Sequence, residues 1–135
     1  MTGIDEILAR TRLMTLRGPA TNEAIRRAEV AFGIALPEDY RAFLARHDGG
    51  EGAVGAASYL RLWPVESLES EHAAYGFREF CPLLIPFGSN GGGTAYAFDA
   101  RQSRLPIVQV EFVGPDYELA MSAGETFAEF LLALP

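Results

Sequence analysis

The residues that come nearest to a chemical motif lie in PFGSNGGGTAYAFDA, residues 86–100, where Gly88 and Gly91 to Gly93 place four of fourteen glycines within six positions. A glycine-rich loop holds phosphate when its backbone N–H groups converge on the anion, with a helix N-terminus behind them and a Lys in front. Neither support is present. After Gly93 the chain reads Thr94-Ala95-Tyr96-Ala97-Phe98, large aromatics alternating with small residues at the period of two that belongs to a strand. The basic residues, eleven in all, are every one Arg, so no Lys can be supplied from any position. The loop therefore reads as the turn of a β-hairpin whose Ser-Asn-Gly-Gly-Gly supplies positive-φ positions.

Catalytic and metal chemistry are as sparse. His47 and His72 stand far apart, and neither belongs to an HxxxH, HExxH or CxxC arrangement that would collect metal ligands. His47 falls on the apolar stripe of a helix near its C-terminus, where the dipole favours a cationic or hydrogen-bonded imidazole. His72, within ESEHAAYG, reads as exposed. The single cysteine, Cys81, sits between Phe80 and Pro82 and reads as a small apolar residue, with no disulfide partner in the chain. No GxSxG elbow occurs. No catalytic residue, cofactor site or metal site is assigned, and a binding module is favoured over an enzyme.

A chain of 135 residues, 49% hydrophobic and 21% charged, can build one core and one domain. The net charge of −7 argues against nucleic acid and against an anionic membrane surface, both of which need clustered cations. It leaves a basic partner protein, whose capture an acidic face would speed. The candidate acidic contacts are Asp48 and Glu51 near one turn, Glu66, Glu69 and Glu71 on a mid-chain helix, and Asp99, Glu111, Asp116 and Glu118 in the strand region. No apolar run approaches the roughly 18 residues of a membrane span, and the N-terminus lacks a signal-peptide pattern, so the expected location is cytoplasmic.

The elements that must position these groups follow from periodicity. Residues 1–20 read as a leading helical segment, with Ile4, Ile7, Leu8 and Leu13 at roughly helical spacing before Gly18-Pro19. The remainder, 21–135, reads as one domain. Thr21 caps a helix that runs to Phe32 and closes at Gly33. In IALPEDYRAFLARHDGG, Tyr40, Phe43, Leu44 and His47 fall at i, i+3, i+4 and i+7 of the clearest amphipathic helix. EGAVGAAS reads as a small-residue loop and 59–63 as a strand, followed by a helical stretch after Pro64. Residues 83–87 and 94–98 form the hairpin, 107–113 a further strand, and 126–134 a terminal helix capped by Ser122 or Thr126. The class is α+β with a mostly antiparallel sheet.

In this order the residues resemble the SUKH superfamily, the Smi/Knr-type domain. The resemblance is carried by Leu36-Pro37-x-Asp39-Tyr40-x-x-Phe43-Leu44, then Asp48-Gly49-Gly50, Leu60-Arg61-Leu62-Trp63, Ile85 to Gly93, and Thr126-Phe127-x-x-Phe130-Leu131, covering roughly 21–134. Asp48 stands where Asn is common in the family. The resemblance implies helices packed on one antiparallel sheet and, for bacterial members, immunity proteins that neutralise polymorphic toxins, often nucleases. Fungal members are instead regulators or scaffolds in cell-wall synthesis and signalling. Leu36, Tyr40, Phe43 and Leu44 then read as core, and Gly49, Gly50 and Gly91 to Gly93 as turns. A small-ligand binder or enzyme would need Ser89, Asn90, His47 or Cys81 to converge under the glycine loop.

Overall fold

The computed structural model describes residues 3–135. Its elements, in chain order, are α1 (Ile4–Arg10), β1 (Met14–Leu16), α2 (Asn22–Phe32), α3 (Glu38–Leu44), β2 (Gly50–Val54) and β3 (Ser58–Leu62). A 3-10 turn (Val65–Ser67) then runs into α4 (Leu68–Ala74), followed by α5 (Phe77–Phe80), β4 (Leu84–Ser89), β5 (Thr94–Asp99) and β6 (Ile107–Glu111). A second 3-10 turn (Tyr117–Leu119) leads to β7 (Met121–Gly124) and α6 (Phe127–Ala133). The strands pair in chain order from β1 to β7, every pair antiparallel, which is the expected α+β class. Among the described residues no helix is long and apolar enough to cross a membrane.

Alternation along the strands builds two cores from this one sheet. On the first face Leu60, Leu62, Ile85, Phe87, Phe98 and Ile107 meet the apolar stripes of α1, α2, α3 and α6. Tyr40 of α3 lies at its centre, with ring centroids 5.0 to 5.7 Å from those of Phe98, Phe127 and Phe87. On the second face Leu84, Ala95, Ala97, Val108 and Val110 pack against Phe77 and Cys81. That second cover stops at the middle of the sheet. On β2 and β3 the same face carries Glu51, Ala53, Tyr59 and Arg61, all exposed, in register across Thr15, Glu51, Arg61 and Ser89.

The motif residues are consumed in holding these layers together. Thr21 accepts from the Ala24 N–H at 3.0 Å and Thr126 from that of Glu129 at 3.1 Å, both as N-caps. Asp39 accepts from its neighbour Tyr40 N–H at 2.8 Å and, through its other oxygen, from Ala128 N–H at 2.9 Å, so one carboxylate ties the start of α3 to the start of α6. Gly49, at φ +87°, lies so close to β3 that a Cβ there would stand 2.5 Å from the Leu62 carbonyl oxygen. Only a residue without a side chain fits.

Four segments differ from their sequence reading. The leading helix stops at Arg10, and Met14–Leu16 turns into the edge strand β1, leaving Leu13 66% exposed. EGAVGAAS, read as a loop, contributes most of β2. Of the three inward positions of β2 only Val54 carries an apolar side chain, and Gly50 and Gly52, opposite Leu62 and Leu60, fill the other two, so most of the apolar alternation that betrays a strand is missing there. His72, read as exposed, is only 5% accessible. Its ring meets Phe32 edge-on at 5.1 Å, and its Nε2 lies 3.0 Å from the Pro82 carbonyl oxygen. β7 is a further strand without a sequence signal, since Met121-Ser122-Ala123-Gly124 buries none of its side chains fully.

Candidate partner-binding surface

The glycine loop satisfies itself. Ser89 Oγ accepts from Gly91 N–H at 3.1 Å, and Asn90 Oδ1 accepts from Gly92 N–H at 2.9 Å and Thr94 N–H at 3.2 Å. Donors that a phosphate would need are thus turned onto the loop's own side chains. Of the four glycines in the loop only Gly91, at φ +83°, adopts the left-handed region.

The groups that a small-ligand site would need do not converge. Cys81 is fully buried in the second core, where burial first and the Asp116 carboxylate second push its thiol up to about 11, the wrong direction for a nucleophile. His47 follows α3 and does not belong to it, its Nδ1 2.8 Å from the Arg17 carbonyl oxygen. Clefts of about 440 Å³ between α2 and α3 and about 670 Å³ beside the N-terminal ends of α3 and α6 are lined by neither Ser89, Asn90, His47 nor Cys81. Among the described residues no three of His, Cys, Asp and Glu are grouped to hold a metal ion. The Tyr40 hydroxyl is buried without a hydrogen-bond partner, and burial, with the Asp48 carboxylate adding to it, holds its pKa far above the usual phenol range.

The nine acidic candidates separate into distinct places. Two of them are turned inward. Asp48 is 6% exposed and accepts from Val65 N–H at 2.8 Å, capping the turn that starts the α4 excursion. Asp99 is 2% exposed and accepts two bonds from the Arg101 guanidinium, at 2.9 and 3.0 Å. Burial alone would raise the Asp99 carboxyl, and the Arg101 bonds outweigh it and hold the pKa below the usual range. Both carboxylates are turned into the fold, Asp48 onto a buried backbone N–H and Asp99 onto the half-exposed Arg101 guanidinium. Glu66 and Glu69 line a groove with Arg27 between α2 and α4. Asp116 caps the second 3-10 turn by accepting from Glu118 N–H at 2.9 Å, and both side chains are exposed.

Of the remaining three, Glu51 lies on the exposed half of the second face, Glu111 pairs with Thr94 in the row of the first face, and Glu71 lies on α4. Glu51 accepts from the Tyr59 hydroxyl and, at 3.3 Å, from Arg61, bonds that hold its carboxyl below the usual range. Tyr59 and Arg61 occupy alternate positions of β3, and Trp63 follows its end in the same alternation. The Tyr59 ring lies under Gly91, where a Cβ would come within 2.8 Å of it. The loop then leads to β6, since Phe112 N–H donates to the Gly93 carbonyl at 2.9 Å and Thr94 Oγ1 donates to Glu111 at 2.9 Å. Phe112 in turn packs on Tyr75, ring centroids 4.3 Å apart, and both stack on Trp63 at 6.0 Å. Glu71 precedes Tyr75 by one helical turn. Tyr59 and Tyr75 are 43% and 42% exposed, and Val113 beside Phe112 is 92% exposed.

Charge alone did not single out this surface in the sequence. The available signal was the alternation Tyr59-x-Arg61-x-Trp63, three residue types that carry binding energy at protein interfaces, on one side of a strand. Tyr75 and Phe112 could be added only by the fold, because 37 residues of sequence position separate residues whose rings touch.

A model of the SMI1/KNR4 family (SUKH-1) matches residues 19–133. No curated protein matches the chain with significance.

Proposed function

The chain belongs to the SMI1/KNR4 family (SUKH-1), and on that premise we propose that it is a non-catalytic immunity protein, acting in the cytoplasm, that neutralises a toxin domain with a basic surface. Members of the family are commonly immunity proteins and generally lack catalysis. The observation that carries the reading is where the shared residues go. Asp39, Tyr40 and Gly49, with Asp48 at the position where Asn is common, are committed to caps, core and close approach, so the motif supplies a scaffold and leaves recognition to the surface. A nuclease toxin must keep a cationic surface for its own substrate, and a chain of net charge −7 can compete for it.

Expression of the chain together with a toxin encoded beside its gene tests this directly. Protection of the host cell, with a stable complex of the two purified chains, is the expected result. A neighbouring toxin that kills cells regardless of the chain would overturn the immunity reading and favour the regulatory or scaffolding role that the family also includes.

A further inference from the structure

Resting on that protein-binding reading, we infer that the partner docks by adding an extended segment to the free edge of β7, with an apolar side chain seated in the groove between β7 and the end of α6 and basic residues at the segment's ends. Two observations meet there. β7 closes the strand order, and apart from its ladder to β6 no backbone hydrogen bond of Met121–Gly124 is made among the described residues. Met121 is 63% exposed and Ser122 is exposed beside it, so this end of the edge is open to solvent. An open row of N–H and C=O groups is matched by another extended chain. Ala123 is the extra residue of a bulge opposite Ile107 and Val108, so the regular part of the edge is its Met121 end, prolonged by Ala120, which is extended at φ −72° and ψ 128°.

Beside this edge lies a groove of about 420 Å³, lined by Tyr96, Gln109, Phe130, Ala133 and Leu134 together with β7 itself, and no charged side chain lines it. Tyr96, Gln109 and Met121 stand in register across β5, β6 and β7, and Tyr96 belongs to the first core. A residue of the added strand opposite Met121 continues that row, on the face where α6 and the groove lie. Main-chain bonds then hold the segment, and the groove reads one of its alternate side chains as apolar.

Charge selects between the two edges of the sheet. Residues 105–135, which contain β6, β7 and α6, hold five acidic residues and no basic one, and the exposed Glu118 and Glu125 stand on either side of β7 in the chain. Arg10 and Arg104 reach this part of the molecule. Arg10 is bonded to the last carbonyls of α6, and Arg104 is paired with Glu125 in an exposed pair that a partner's cation can replace. The other edge strand, β1, is three residues long, has Arg12 before it and Arg17 after it, and lies in a stretch, 7–22, without an acidic residue. A basic segment is therefore repelled at β1 and attracted at β7.

The test titrates the full-length ¹⁵N-labelled chain with a backbone-cyclised β-hairpin peptide whose free edge strand reads Arg-Thr-Leu-Thr-Arg. One control peptide is N-methylated along that edge, and in another Glu replaces both Arg. The expected result is saturable binding of the first peptide alone, with amide shifts confined to residues 119–124, Gln109 and the end of α6, and slowed hydrogen exchange within β7. Ala133→Trp, which fills the groove from an exposed position, should weaken binding about tenfold while the melting temperature is kept. Glu118→Gln with Glu125→Gln should weaken it about threefold, and Arg12→Gln with Arg17→Gln should leave it within about twofold. Absent binding, equal binding of either control peptide, shifts centred on β1 or on the open half of the second face, or unchanged affinity in Ala133→Trp would each overturn the inference. So would self-association of the chain abolished by Ala133→Trp, which would make the edge a contact between copies. The outcomes also separate the two claims: failed protection with the hairpin peptide still seated on β7 removes the immunity reading alone, and protection unaffected by Ala133→Trp removes the docking site alone.

Discussion

Gly91 sits at φ +83°, and a side chain there would meet both the left-handed backbone and the Tyr59 ring. Gly92, one position on, has no positive φ, and its nearest neighbour is the Asn90 side chain at 3.5 Å. The two positions look equivalent in Ser-Asn-Gly-Gly-Gly and are physically different. Gly91→Val should therefore cost about 1–2 kcal/mol of stability, most of it from backbone strain because the exposed Tyr59 ring can swing aside. Gly92→Val should cost under about 0.5 kcal/mol. Urea unfolding of both variants checks this, and equal costs would contradict it. The acidic residues teach the same lesson about context. Asp39, Asp48 and Asp99 look in sequence like any of the other carboxylates, yet each accepts backbone or guanidinium bonds at a layer junction.

The excursion from Trp63 to Cys81 is the element that the fold adds between β3 and β4, and His72 is its buried polar anchor. The imidazole is packed between Phe32 of α2 and Phe77 of α5, ring centroids 5.1 and 6.2 Å away. Burial lowers its pKa below the ordinary 6.5. The bond to the Pro82 carbonyl acts in the opposite sense, as does Glu69, while Arg78 reinforces the lowering. Between the lowered folded value and 6.5 the unfolded chain binds the proton and the folded chain does not, so stability falls as pH drops below 6.5 and levels off below the folded pKa. We expect the stability difference between wild type and His72→Gln to shrink from pH 7.5 to pH 5. Direct titration of the imidazole by NMR should give a midpoint below 6.5, and a midpoint at or above it would refute the assignment. At this scale the helices were legible, because Thr21, Gly33, Thr126 and the Tyr40-Phe43-Leu44 stripe are local signals. The short strands β1, β2 and β7 were not, because an edge strand of three residues or a strand with glycine at its inward positions carries little periodic pattern.

For the molecule as a whole, the net charge of −7 is a statement about encounter more than about fold. Association with a basic partner should slow steeply between low salt and physiological ionic strength, where the screening length shrinks to about 8 Å. Stopped-flow measurement of the on-rate against salt reads this directly, and a salt-independent rate would contradict charge steering. Dissociation should respond less, since contacts buried at a formed interface are screened weakly. The asymmetry of the sheet gives this charge a place to act: one face is covered along its length by helices, and the other is covered only over β4 to β6. The exposed half-face, with Glu51, Ala53, Tyr59 and Arg61, is a part of the molecule whose side chains neither core uses.

By itself the sequence determined the class, the antiparallel hairpin around residues 84–99, the capped helices and the family, since all of these rest on periodicity, caps and turn residues that act within a few positions of one another. It also determined the charge, and with it the kind of partner that the surface can attract. Only the tertiary structure decided which carboxylates are spent inside the fold, that His72 is buried, that Tyr59 bonds Glu51 on the open half of the second face, and that Trp63, Tyr75 and Phe112 stack together. These depend on which strand lies beside which and on where the second layer ends, and such long-range placement leaves no periodic mark along the chain.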